Sequence, residues 1–234
     1  AGTLALGGSD RLSDTATVAV AGGADMTIAG DDTVATLALS GTLSGSGTLT
    51  ARSYALDGGT ANANLGSGTL TSVGQSLLNG SAAAGQVAVN GGRLLLASAN
   101  RLIAAPAVSV RGGATLALGG DQTTGSLEGA GAVDLSSFTL STGVLGDSTF
   151  SGTMGGTGGL VKLGGTTFTL GGSHSYSGTT RVMEGTLAVL GTLASGQVHV
   201  DGGTLALGAN ERLDNAAALS VASGALVTLA GDET

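Results

Sequence analysis

Leu4 and Leu6, Val18 and Val20, and Met26 and Ile28 stand at alternate positions, interleaved with Thr3, Ala5, Ala19, Asp25 and Thr27. The same beat returns at Leu205 and Leu207, Leu219 and Val221, and Val227 and Leu229. Alternation over three to five residues, bounded by Gly, Asp, Asn and Ser, predicts short strands that bury one face and turn out of it quickly. Helical spacing occurs nowhere in the chain.

The strands come in a repeated phrase. Gly2 to Thr33 aligns without a gap to Gly92–Thr123 at an offset of 90 and to Gly203–Thr234 at an offset of 201. Eighteen of the 32 positions are identical between the first and third copies, so the chain is a repeat protein. Phrase starts at Gly2, Gly23, Gly47, Gly68 and Gly92 step by 21, 24, 21 and 24 residues. Steps of that size predict one coil of a solenoid each, with every strand pairing in parallel with its equivalent a coil later. At ~22 residues per coil the chain makes roughly ten coils, a rod on the order of 50 Å at the ~4.8 Å strand spacing. The second interval exceeds the first by 21 residues, which predicts one inserted coil. The expected organisation is a single solenoid over residues 1–234. Because Thr234 matches Thr33 inside the repeat, the chain is expected to be a fragment of a longer one.

Composition supports an ordered rod. There are 45 glycines, five aromatic residues, no tryptophan and one proline, Pro106. The hydrophobic 41 % is mostly Ala, Val and Leu, enough to bury apolar surface continuously. The turns call for glycine because tight corners need positive φ. Outer-membrane barrel strands also alternate, but they run about 9–11 residues and carry aromatic girdles. Neither feature is present. With eight basic and sixteen acidic residues, the net charge is −8 and no basic stripe exists, which argues against nucleic acid and anionic lipid as partners. The absence of cysteine excludes a disulfide scaffold and cysteine-bound metals.

Thr149 to Gly191, TFSGTMGGTGGLVKLGGTTFTLGGSHSYSGTTRVMEGTLAVLG, resembles the passenger-associated repeat of Gram-negative autotransporters. Phe150, Gly158, Gly159, Leu160, Lys162, Gly164, Leu170, Gly172, Tyr176, Gly178, Thr180, Val182, Gly185, Thr186 and Leu187 fit its theme. RLDNAAALSVASGALVTLAG and QTTGSLEGAGAVDL resemble the same passengers. The resemblance implies an all-β, right-handed, single-stranded parallel β-helix carried to the cell surface of a Gram-negative bacterium by type V secretion. It would pass unfolded through an outer-membrane barrel at the C-terminal end of the same polypeptide. The lack of cysteine suits that route, since a periplasmic disulfide would lock a loop too wide to thread the pore.

The search for chemistry yields no catalytic, cofactor-binding or metal-binding residue. His199, in QVHV, takes an outward alternate position and is expected to face solvent. His174 falls in a turn between Ser173 and Ser175, with no third group to orient a Ser–His pair. Asp31-Asp32, Asp121-Gln122 and Asp232-Glu233 recur at equivalent places. One carboxylate is lost in the middle copy and calcium needs six to eight oxygens, so a turn in which Asp accepts backbone hydrogen bonds is expected instead. Arg11, Arg101 and Arg212 are equivalent but four or more coils apart, too far to converge on one substrate, and each is expected to cover a turn near its own coil. The expectation is a non-enzymatic stalk or spacer that aids secretion by folding outside the cell, with no cofactor and no small-molecule substrate. The alternative is an adhesin or self-association module binding a host surface or sister passengers.

Overall fold

A computed structural model describes residues 2–232; Glu233 and Thr234, the ends of the third acidic pair and third copy, lie outside the described residues. Within them the chain is all β, and every strand pair is parallel. It winds as a β-solenoid of about twelve turns with three faces, visited in fixed order. The first face is a nine-stranded sheet from Thr3–Leu6 to Thr153–Gly155, extended by the two-stranded pair Ser173–His174 and Thr192–Leu193. The third face is continuous, with twelve successive strands from Thr17–Val20 to Leu226–Leu229. The second face opens with Asp32–Val34 in register with Leu49–Ala51 and Leu49 with Leu65, then thins to single bridges from Leu65 to Ala82 and from Ala82 to Leu102. From Gln122–Thr123 to Ala218–Val221 it becomes a six-stranded sheet.

The alternating residues fill a narrow core. On the third face Val18, Leu37, Tyr54, Leu70, Val87, Val108 and Leu127 stack one on the next. On the first face Met26, Leu43, Ala61, Leu78, Leu96 and Leu118 do the same. Every member of both columns after Val18 is buried. Tyr54, Phe150, Phe168 and Tyr176, four of the five aromatics, are fully buried, so the large rings are core fillers rather than a surface. In the last described coil Leu219, Val221 and Leu229, in register with inward Val198, Val200 and Leu207, are exposed, and so is outward-facing Leu226, in register with Thr204.

Sequence spacing overestimated the coil. In-register partners lie as few as 16 residues apart, Ser53 with Thr69, and as many as 22, Thr3 with Asp25. The expectation of one inserted coil is corrected more deeply. From Thr3–Leu6 to Arg93–Leu96 the chain makes five full turns along the first face. From Arg93–Leu96 it makes five turns to Thr192–Leu193, then adds Gln197–Val200 on the second face and reaches Thr204–Leu207 on the third. The 21-residue surplus is therefore not a rung: the five turns from Arg93 to Thr192 take 99 residues rather than 90, the two further strands to Thr204 take 12, and the third copy sits one face out of step with the others.

Close backbone approach explains glycine where turning does not. Gly152, Gly172 and Gly191 occupy one corner in three successive rungs. A Cβ on Gly172 would collide with the carbonyl oxygen of Gly152, and one on Gly191 with that of Gly172. Only hydrogen leaves room for rungs so near.

Candidate functional site

Several residues singled out from the sequence have local tasks. Arg101 bends over its own corner, donating through Nη1 to Asn79 O and through Nε to Ala99 O at 3.2 Å. Arg212 Nη1 reaches Gly191 O at 3.4 Å. Asp31 Oδ1 accepts from Thr48 N at 2.7 Å, and Asp121 Oδ1 accepts from Thr139 N at 2.8 Å. Beside them, buried Asp32 Oδ2 accepts from Arg11 N at 2.8 Å and Leu12 N at 3.2 Å. In the middle copy Gln122 replaces it: Oε1 accepts from Arg101 N at 2.9 Å, while Nε2 donates to Ser98 O at 2.6 Å. An amide can stand in because the task is to accept backbone N–H groups, not to hold a cation. Among the described residues no three His, Cys, Asp or Glu gather closely enough to hold a metal ion.

The histidines differ. His199 points outward, half-buried, with Nδ1 2.5 Å from Ser220 Oγ of the next rung. Asp201, the carboxylate on the same strand end, is taken by Arg181 at 2.7 Å, so this pair has no acidic orienting group. His174 corrects the turn expectation. It lies in the strand Ser173–His174 and is 2 % exposed, and neither Nδ1 nor Nε2 has a hydrogen-bond partner. Its ring centroid lies 6.2 Å from that of Phe150. Burial alone lowers its pKa from the ordinary 6.5 to about 4, so the core holds it neutral. The sequence signal was available: His174 is in phase with Phe168, Leu170 and Tyr176, all buried.

The least expected chemistry is a polar seam inside the second face. Thr124 Oγ1 donates to Thr142 Oγ1 at 2.9 Å, both side chains fully buried. One rung on, Thr142 pairs with Lys162, which then pairs with Val182 and, through it, Val200. Lys162 is fully buried. Its Nζ donates to the carbonyl oxygens of Leu163 at 2.6 Å, Gly164 at 2.7 Å and Glu184 at 3.3 Å. Three N–H donors meet three acceptors, which is what a buried ammonium requires. Burial lowers its pKa, partly opposed by the nearby charges of Glu184 and Asp147. The stem needs space: a Cβ on Gly143 would lie 2.9 Å from both Cδ and Cε of Lys162. A rung later Tyr176 Oη and Thr180 Oγ1 share a hydrogen bond at 2.7 Å. Burial raises the Tyr176 pKa, with that bond opposing it. These groups close corners and hold rungs in register.

Part of this stretch has a known counterpart. Residues 160–189, which include Lys162, Tyr176 and Thr180, match the family model of the passenger-associated-transport-repeat. No curated protein and no solved structure matches the chain. The matched repeat forms part of the wall of a parallel β-solenoid, and repeat and fold together support an autotransporter passenger.

Proposed function

We propose that the chain is a non-enzymatic stalk of the passenger, a spacer that supports secretion by folding at the bacterial surface. It would be carried there through the outer-membrane barrel at the C-terminal end of its own polypeptide. The observation that supports this reading is the uniformity of the rungs. Among the described residues no connection between successive strands exceeds the ten residues of 7–16, 97–106 and 208–217, and each of these crosses a face of its own rung. Solenoid binding and catalysis sit on insertions, and a plain stack of rungs offers reach and rung-on-rung folding.

The test uses the full-length protein. Deleting residues 42–59 removes one rung in register, because Thr42 pairs with Thr60. Display at the surface should continue with a shorter rod. Replacing Leu205 and Leu207 with Asp should stop display or leave the passenger open to protease. Normal display of the Asp variant would overturn the stalk reading.

One observation favours the adhesin as second reading. Ile103, Val144, Leu145 and Met183 are exposed at the corner between the second and third faces. Leu145 Cδ1 packs over Gly125, which in turn lies against Ala105 O. Loss of cell adhesion in Leu145→Asp, with display intact, would favour this reading over the stalk.

A further inference from the structure

We propose that the 32-residue repeat is a face-neutral cassette: it encodes the shape of its own turn, while the rung beneath decides which face of the rod it enters. The proposal holds whichever surface the passenger uses, and it rests on comparing three copies in one chain. In copies one and two the phrase places its strands on the first, third and first faces: Thr3–Leu6, Thr17–Val20 and Asp25–Ile28, then Arg93–Leu96, Ala107–Val110 and Thr115–Leu118. In copy three the same positions, Thr204–Leu207, Ala218–Val221 and Leu226–Leu229, lie on the third, second and third faces. The residue between the first two strands shifts as well. Leu102 bridges Ala82 on the second face, whereas its equivalent Leu213 bridges Leu193 on the first. The words themselves are the same, TLAL at Thr3–Leu6 on one face and TLAL at Thr204–Leu207 on another.

Local structure does not change with the face. Asp10, Asn100 and Glu211 are equivalent, and all have positive φ, at 51°, 55° and 53°. Their amides donate to the carbonyls of Asp31, Asp121 and Asp232 at 3.1, 2.9 and 3.1 Å. The second turn is kept too, with Ala24, Ala114 and Ala225 donating to Ala21, Arg111 and Ala222 at 2.9, 2.9 and 3.1 Å. What changes is the partner below. Leu94 and Leu96 stack on Ser76 and Leu78 of the first face, while Leu205 and Leu207 stack on Leu187 and Val189 of the third. Each face offers the same thing to an arriving strand, a parallel backbone edge above two inward side chains two residues apart. Nothing in the phrase distinguishes one such edge from another, so the order of arrival assigns it.

Two consequences follow for surfaces. Arg11 and Arg101 stand on the second face, one above the other at a distance of five rungs, whereas Arg212 stands on the first. A partner that reads one side of the rod thus meets the third cassette turned by a third of the circumference relative to the other two. Exchange between copies would also change rod length and rotation together.

The experiment deletes Arg93–Gly203, which joins Gly92 to Thr204 and puts copy three in the place of copy two. The chain has no cysteine, so introduced pairs report cleanly. In the parent, Thr186→Cys with Thr204→Cys marks a third-face pair, because those residues are in register. In the deleted chain, Gln75→Cys with Thr204→Cys marks the first-face position, because Gln75 is in register with Arg93. Both pairs should form a disulfide under mild oxidation, in comparable yield and with the β spectrum retained. A folded deletion chain in which Gln75→Cys and Thr204→Cys do not join would overturn the proposal. So would failure of the deletion chain to fold while the chain lacking residues 42–59 folds, since the phrase would then carry its own face.

Discussion

Two stretches of one rod fill their interiors in opposite ways. From Met26 to Leu118 the first face is an apolar column in which Leu43, Ala61, Leu78 and Leu96 succeed one another. From Thr124 to Thr180 the second face buries hydroxyls and an ammonium, each with named partners. An apolar column accepts any aliphatic side chain of about the right size, so it stabilises stacking without specifying which rung stacks on which. Lys162 fits only where three carbonyls converge beside Gly143. The column gives cohesion and the seam gives register. The repeated phrase, which moves between faces, is the cohesive kind, whereas the stretch that matches a family model contains the specific kind.

Substitutions should separate the two. The largest effect is expected for Leu96→Asp, which places an unpaired carboxylate in the fully buried column and costs more than about 4 kcal/mol. The measurement is a denaturant melt, and a loss near 1 kcal/mol would show that the column is not sealed from water. The next is a pH effect in the repeat region. The folded pKa of His174 lies near 4, below the ordinary 6.5, so the unfolded chain binds more protons between those values. His174 then contributes fully above about pH 6.5, and stability falls as pH drops toward 4, by up to about 3 kcal/mol. His174→Leu should flatten that part of the pH–stability curve, and an unchanged slope would place its cause elsewhere.

Lys162→Met keeps the length and removes the donors, taking the Lys162 partner from three part-buried carbonyls at a cost of about 2 kcal/mol. The same Met at Leu96 should cost under about 1.5 kcal/mol, because it only changes shape. Equal costs would remove the distinction between seam and column. Tyr176→Phe deletes one buried hydrogen bond and should cost about 1 kcal/mol in the same melt. The smallest effect is expected outside the core. His199→Ala should shift stability by no more than about 0.5 kcal/mol, and a larger loss would mean that its contact with Ser220 holds the rungs together.

Much of the architecture was legible in the sequence because a parallel solenoid writes its period twice, as alternation within strands and as recurrence between rungs. Leu205, Leu207, Met26 and Ile28 were read as inward and are buried. The expected roughly ten coils come close to the twelve or so formed, and the small excess in coil length arises because glycine marks close approach as well as phrase starts. Gly47 opens a counted step, yet its crowding comes from Gly30 O of the neighbouring rung. The face shift was invisible, since alternation says which side chains point inward but not toward which wall. The seam was hidden for a related reason. In the sequence Lys162 stands only as a motif position, and nothing local reveals that Glu184, a rung away, supplies its third carbonyl. His174 was misplaced because Ser173 and Ser175 suggested a turn, although its phase with Phe168, Leu170 and Tyr176 pointed inward.

The strand pairs that join Thr17–Val20 to Leu226–Leu229 all point their hydrogen bonds along the length of the rod. That direction determines how the molecule bears a load. A pull on its two ends stretches these bonds in series, so the weakest junction gives way first and the chain peels away one rung at a time. A sideways push meets many junctions sharing the load at once. A rod of this construction yields gradually under tension, releasing extended chain as a shock absorber does, yet resists bending like a stiff bristle.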